Sequence, residues 1–511
     1  MKGPSLWRNH AVGALSALWL SALTPLAAAA LQDDTSPNPA GCISASLPPD
    51  HWSVEALLRL ESLGLADFRP SQRAAPICAV HQILDQALAV TEGGSSSMAT
   101  LIEAWTARLE AEYPGLARIS QGQTHPQLLG AGVGVELFSR SGAGAPGFGE
   151  YPPERTGMVA LPNRTAAAAG GRITLQPQPW LSGAIAAGLD SDGWRLDQLE
   201  VVAGANNLAA TVGRGRVGYG RGISGGVVLN GAVPLDRIQL ETVEPFRLGS
   251  VLRPLGTLSL HTFLGRLRDD RHARRQFLWG GSGLLHPHRR VTLGVHRAAM
   301  FGGEGQDPIS AGDLTNLLIG RVAGVGFEDQ IVSVELVVHL PTESVLPVTG
   351  YIEWGSEDAA GAWHDVPGIV GGLAVPAIPD FPEASAGVEI TSFLGSCCGN
   401  PPWYRHWAFP GSWAAREEPL GHPLGGQGSE VLIYSVVDLP EDRLRLDARG
   451  FWRERRGQNL FVPGREGDSY GTDLGVIWRV IPSGEVRLRL LVEDGSGWAH
   501  RFGSVQSTFF F

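Results

Sequence analysis

From about residue 127 to its end, the chain alternates apolar and polar residues with a period of two. Only strands whose two faces meet different surroundings keep that period. In 473–481, Leu474, Val476, Trp478 and Val480 alternate with Asp473, Gly475, Ile477 and Arg479. In 486–493, Val486, Leu488, Leu490 and Val492 alternate with Arg487, Arg489, Leu491 and Glu493. Residues 443–453, 332–340, 258–264 and 291–295 repeat the pattern. A soluble sandwich alternates too, so two further features decide. The polar positions often carry charges of both signs, as a water-filled lumen would. Trp354, Tyr351, Trp403, Tyr404 and Trp407 cluster near strand ends, where aromatic girdles of a transmembrane barrel would sit. The sequence therefore predicts a mainly β protein, a large antiparallel transmembrane β-barrel over residues 121–511. At about 20 residues per strand with its share of loop, it holds roughly 16–18 strands.

The two ends agree with that address. Lys2 and Arg8, an apolar run over residues 11–23 and the small residues Ala27–Ala30 read as a signal peptide over 1–30. After it no window has the long uncharged apolar stretch of a membrane helix; even 331–340 carries Glu335 and His339. The mean hydropathy of +0.01 suits a chain in which every second residue meets lipid. The sequence ends in Ser507-Thr508-Phe509-Phe510-Phe511. Such an end would be an aggregation hazard as a soluble edge strand. It reads instead as the signal by which barrel-assembly machinery takes up its client through Phe511. Outer-membrane lipid is then an expected partner and the cell outer membrane the expected location.

Gly (68) and Pro (35) punctuate many short strands rather than long helices. The net charge of −11 excludes nucleic acid, which needs a basic stripe. Four cysteines do not make a disulfide scaffold, but in an exported chain Cys42 and Cys78 are a candidate pair. The adjacent Cys397 and Cys398 admit a vicinal disulfide, free thiols or pairing in trans. Residues 31–120 predict a helical N-terminal domain. Trp52, Ala56, Leu60 and Leu63 fall on one helical face, Val80, Leu84 and Leu88 on a second, and Leu101, Trp105, Leu109 and Tyr113 on a third. Three such helices suggest a small bundle.

Few motifs carry chemistry. Gly222-Ile223-Ser224-Gly225-Gly226 matches a nucleophile elbow. That motif needs a strand–turn–helix context, whereas Val227-Val228-Leu229 reads as continuing strand, so Ser224 is not expected to be catalytic. His286-Pro287-His288 lacks a carboxylate or thiol at ligand spacing; no metal and no cofactor are expected. Asp269-Asp270 among Arg266, Arg268, Arg271 and Arg274 is either a solvated loop or a polar groove for sugars, with Arg as planar donor to carboxylates.

One set of segments goes beyond architecture. The run from Val212 to Asn230, with Gly213-Arg214, Tyr219-Gly220 and Val228-Leu229-Asn230, resembles a signature of the Wzi capsule-assembly family. The resemblance continues through Pro234-Leu235-Asp236, Glu244-Pro245-Phe246, Phe263–Leu267, Asp269-Asp270-Arg271, Leu285-His286-Pro287 and Met300–Gly303, and on to Pro419–Gly426. Leu47–Trp52 with Leu57–Leu65 is similar to the family's helical opening. Tyr219 departs from the tryptophan usual there. The resemblance implies a non-enzymatic barrel that binds or anchors capsular polysaccharide or exopolysaccharide at the cell surface and supports capsule assembly. A general or sugar-selective porin is the alternative, and a hydrolase resting on Ser224 a third. The expected carbohydrate contact centres on Arg266, Asp269, Arg271 and Trp279.

Overall fold

A computed structural model describes residues 43–66, 72–91, 96–120, 127–142, 165–190, 193–267, 275–306, 309–318, 328–340, 346–357, 367–394, 403–406, 409, 413–415, 418–440, 443–457, 459 and 464–511. The expected signal peptide, Cys42, Asp269, Arg271, Cys397, Cys398 and Trp407 lie outside these residues.

Antiparallel strands close on themselves. In chain order they are β1 (Gln127–Gly142), β2 (Thr165–Gln178), β3 (Leu181–Asp190), β4 (Gly193–Ala205), β5 (Leu208–Gly218), β6 (Asn230–Thr242), β7 (Thr257–Arg266), β8 (Phe277–His288), β9 (Val291–Phe301), β10 (Glu328–Leu340), β11 (Val348–Glu357), β12 (Gly368–Val375), β13 (Ala384–Ser392), β14 (Gly428–Leu439), β15 (Leu444–Arg455), β16 (Gly467–Ile481), β17 (Gly484–Gly495) and β18 (Trp498–Phe510). Each pairs with its neighbour in sequence, and β18 returns to β1 with Phe510 opposite Gly132 and His500 opposite Gly142. The barrel thus has eighteen long strands among the described residues. Closure removes the unpaired edges an open sheet would present.

The alternation in the sequence becomes the two faces of this wall. Val135, Leu137, Ile173, Val212, Ile238, Ile433, Leu474 and Leu490 are exposed on the outside. Glu200, Arg237, His261, Ser282, Glu353, Glu389, Arg455 and Glu493 point inward and are buried. An apolar belt outside and a charged interior mark a membrane barrel. The last residues obey the same rule. Phe509 and Phe511 are exposed to the outside, while Phe510 is buried beneath the Arg172 guanidinium, 5.3 Å from its ring centre. The backbones of Phe511 and Ala131 exchange hydrogen bonds of 2.8 and 3.1 Å, so the final residue seals the seam.

One end carries tight connections, such as Asn206-Asn207, both at positive φ (49° and 65°). That is the backbone a two-residue hairpin turn requires. The opposite end carries most of the long connections, including 219–229, 302–327 and 393–427. Short turns face the periplasm in barrels of this kind.

The helical segment comprises α1 (Trp52–Ser62), α2 (Ile77–Thr91), α3 (Ser96–Glu112) and a short α4 (Leu116–Ser120). The three expected apolar faces converge in one core with Trp52, Leu60, Val80, Leu84, Leu101, Trp105, Leu109 and Tyr113. The same core takes in Leu129, Ala184 and Ala377 from the barrel. The helices are therefore packed onto the wall, not hung beside it.

Two expectations need correcting. Tyr351, Trp403 and Tyr404 do not form a girdle; they are buried inside, because each hydroxyl or ring finds a partner there. Besides Phe509 and Phe511, the exposed aromatics among the described residues include Trp180, Trp194, Phe381, Tyr470 and Trp478. Val227–Leu229 is not a strand. It belongs to a loop folded into the barrel, where a continuous apolar triplet can be buried on all sides.

Candidate functional site

The connection between β5 and β6, residues 219–229, turns inward and hangs on carboxylates of the facing wall. Glu335 on β10 accepts from the Arg221 amide at 2.5 Å. Glu353 on β11 accepts from the Val227 amide at 3.0 Å. Glu389 on β13 accepts from the Ile223 and Ser224 amides at 2.5 and 3.0 Å, and from the Tyr351 hydroxyl at 2.7 Å. A loop inside a barrel has no ladder to satisfy its amides, and side-chain oxygens do so here. The glycines allow the approach. Gly220 is at φ +79°, and a Cβ on Gly226 would overlap the Tyr219 carbonyl oxygen.

Tyr219 lies at the start of this loop and is fully buried. Its hydroxyl bonds to His261 Nδ1 at 2.8 Å, and its ring stacks 5.4 Å from that of His296. Ser224 Oγ donates to Glu430 at 3.0 Å, not to a histidine base. Glu389, Glu430 and His422 place one oxygen or nitrogen each within 4.8 Å of one another. Their lone pairs are already engaged. Glu430 also takes the Arg453 guanidinium, and His422 Nδ1 accepts from the Leu424 amide. That bond puts the ring proton on Nε2, toward Thr391. Burial holds His422 down at about 4, so the ring is neutral. The cluster serves to hold the loop.

A second long connection covers the first. Tyr404 donates to the Val227 carbonyl at 2.7 Å, and the Trp413 indole to the Val228 carbonyl at 3.0 Å. The Asn230 amide group donates to the carbonyls of Pro419 and Gly421 at 2.9 and 2.6 Å. Phe393, Trp403, Phe409, Leu420 and Leu424 complete an apolar cap with Val227–Leu229. The two segments singled out in the sequence, Val212–Asn230 and Pro419–Gly426, are thus bonded to each other across the long-loop mouth.

From the short-turn end α1 enters the lumen. Glu61 accepts from Arg221 at 2.6 Å, so the helix meets the inward loop directly. Arg59 donates to Asp438 at 3.0 Å and to the carbonyls of Pro376 and Pro382 at 2.8 and 2.6 Å. Arg108 pairs with Glu485 at 3.0 Å. Glu112 accepts from His51, Trp52 and Arg172 at 3.0, 2.6 and 3.0 Å. Burial alone would raise the Glu112 and Glu61 carboxyls. Their cationic and hydrogen-bonding neighbours outweigh it, holding Glu112 well below the ordinary range and Glu61 at about 2. Between α1, the inward loop and the wall remains a cavity of about 150 Å³, bordered by Glu55, Arg73, Arg445, Arg449 and Arg489.

The expected sugar contacts lie elsewhere. Arg266 is exposed on the outer face at the long-loop end of β7, its guanidinium 5.6 Å from the Phe277 ring centre. Trp279, two residues along β8 from Phe277, is opposite the outward Leu264. It is half-buried with Leu317 of α5 (Ala311–Leu318), and its indole donates to Thr262. Arg266 and Trp279 thus share the outer face, away from the lumen. The residues that organise the mouth, Glu335, Glu353, Glu389 and Glu430, were not singled out from the sequence as site residues. Their signal was a glutamate at the inward phase of each of β10, β11, β13 and β14.

The family model for the capsule assembly protein Wzi matches residues 91–497. No curated protein sequence matches the chain. Among solved structures, the fold is similar to Wzi of Escherichia coli, described as an outer-membrane protein involved in group 1 capsule assembly and a carbohydrate-binding β-barrel. The identity is 16%, the TM-score 0.69, and the match covers 91% of this chain and 99% of the other. Pseudomonas aeruginosa OpdQ follows at 10% identity and TM-score 0.44, over 76% of this chain and 98% of that one. OccD3 (OpdP) of the same organism follows at 11% and 0.45, over 75% and 91%. With the helical opening, the inward loop and the matched span together, the chain belongs to the Wzi family of capsule assembly proteins.

Proposed function

We propose that this barrel binds capsular polysaccharide or exopolysaccharide at the outer surface of the outer membrane and anchors it during capsule assembly, without catalysis and without serving as a diffusion pore. The observation that carries the reading is the occupied lumen: α1 and the inward loop meet inside it through Arg221 and Glu61 and stand across the path. A porin would keep that path open. Family membership and the carbohydrate binding described for the E. coli protein support the ligand class. The sugar would meet the long-loop face, where Arg266 offers a planar donor and Trp279 a ring surface on the outer side of the wall; Asp269 and Arg271, the other two expected contacts, lie outside the described residues.

In this reading residues 1–30 are removed on export, 31–120 form the periplasmic and plugging domain, and 121–511 span the membrane after delivery to the assembly machinery through Phe511. Cys42 would close a disulfide with Cys78. Cys78 is disulfide-bonded, and its amide donates to Ser44 Oγ at 3.1 Å, which brings the chain just after Cys42 beside it. Deletion of the gene tests the function: polysaccharide should appear in the medium while total synthesis continues. Unchanged cell-bound polysaccharide in the deletion strain would overturn it.

A further inference from the structure

At the short-turn end, the connection from Val243 to Gly256 between β6 and β7 is longer than its neighbours and is built as a projecting foot. Phe246 and Arg247 pair with Leu258 and Thr257. The Leu248 amide donates to the Gly256 carbonyl at 3.0 Å, and residues Ser250–Leu255 make a 3-10 turn. Gly256, at φ +78°, is pressed against the His286 carbonyl, where a Cβ would not fit. The foot is therefore a fixed shape.

Its surface does not suit water. Every residue from Gly249 to Leu255 is exposed. Val251 is 89% exposed, Leu252 52% and Leu255 42%. Between them stands Arg253, whose guanidinium has no hydrogen-bond or ionic partner among the described residues, and Arg247 at the neck is in the same state. The register makes the foot continuous with the lipid-facing wall. Phe246 lies opposite Leu258, Leu258 opposite Leu285, Leu285 opposite Leu293, Leu293 opposite Leu336 and Leu336 opposite Ile352, one outward row across six strand segments. Leu293, Leu336 and Ile352 are exposed in that row.

We propose that residues 246–256 are an interfacial foot that seats the barrel in the periplasmic leaflet. Val251, Leu252 and Leu255 enter the boundary between headgroups and acyl chains, and Arg253 reaches phosphate, with a preference for anionic phospholipid. An arginine whose stem covers apolar surface while its head stays at phosphate level is the ordinary solution at this depth. The continuous outward row favours lipid over a periplasmic protein, because the same row already faces lipid higher on the wall.

The test uses the full chain with p-benzoylphenylalanine in place of Val251. It is photolysed in native outer membranes and in phosphatidylethanolamine vesicles with or without phosphatidylglycerol. The probe in place of Leu240, exposed on the outer wall, is the lipid control. The probe in place of Gln82, on the exposed side of α2, is the aqueous control. Position 251 should yield phospholipid adducts as position 240 does, and position 82 should not. In the phosphatidylglycerol vesicles, Arg253→Glu should lower the yield of phosphatidylglycerol adducts at 251 about fivefold and leave those at 240 unchanged. A protein adduct at 251 in native membranes, or no lipid adduct there, overturns the proposal. Neither outcome depends on polysaccharide binding.

Discussion

Arg59 is the clamp that fixes α1 to the barrel, and its removal has a calculable consequence. The side chain is 4% exposed, lies 5.0 Å from the Trp105 ring centre, and donates to Asp438 and to the carbonyls of Pro376 and Pro382. In Arg59→Ala three charge-assisted bonds disappear, each worth about 1.5–3 kcal/mol. Their sum overstates the loss. Asp438 keeps Arg445 at 3.4 Å, so its charge stays paired. Breaking one partner of a buried pair typically costs about 3–5 kcal/mol, and the low end, about 3 kcal/mol, fits this partial compensation. Local release of α1 from the wall should then rise about a hundredfold. Limited proteolysis of the helical segment, on protein whose barrel is verified by its heat-modifiable gel mobility, reads that population directly when reclosing is fast. Arg59→Lys keeps the charge without the fork and should fall between. Cleavage of Arg59→Ala within about threefold of the parent rate, with the barrel intact, would refute the clamp.

Planar bilayers should show no porin-sized steps for the full chain; steady conductance would contradict an occupied lumen. Because Glu112 and Glu61 are held below their unfolded values, their ionised forms stabilise the fold above an ordinary carboxylate pKa of about 4.3. That contribution is lost as the pH falls through the folded values, toward about 2 for Glu61. Proteolytic protection of α1–α3 should accordingly be flat from about pH 7 to 5 and decline below about 4.3; protection that grows on acidification would reject these assignments. Gly226→Ala should unseat the inward loop, since its Cβ meets the Tyr219 carbonyl, with a cost of about 1–3 kcal/mol visible as a lowered midpoint of thermal unfolding. Ser224→Ala should retain cell-bound polysaccharide at the parent level, because it removes one bond to Glu430 and no chemistry.

The barrel was readable because lipid outside and charge inside impose a period of two on every strand, and the strand estimate of roughly 16–18 brackets the eighteen found. The helices were readable for the same kind of reason: Trp52, Val80 and Trp105 each sit on a face that must be covered. The aromatics were misread. Tyr351, Trp403 and Tyr404 have the composition of an interfacial girdle, yet their partners Glu389, Phe393 and the Val227 carbonyl come from other parts of the chain. Nothing local marks which side of a wall such a ring will choose.

Local sequence by itself determined that this chain forms a membrane barrel with a helical preface, and the ordered motifs placed it in its family. Only the tertiary structure decided that α1 and the inward loop meet inside the lumen. That outcome depends on loop amides at 221–227 finding glutamates on three distant strands, and on Glu61 of a helix finding Arg221. Periodicity records the solvent each face meets. It does not record which buried donor will satisfy which buried acceptor, because that pairing exists only once the wall has closed.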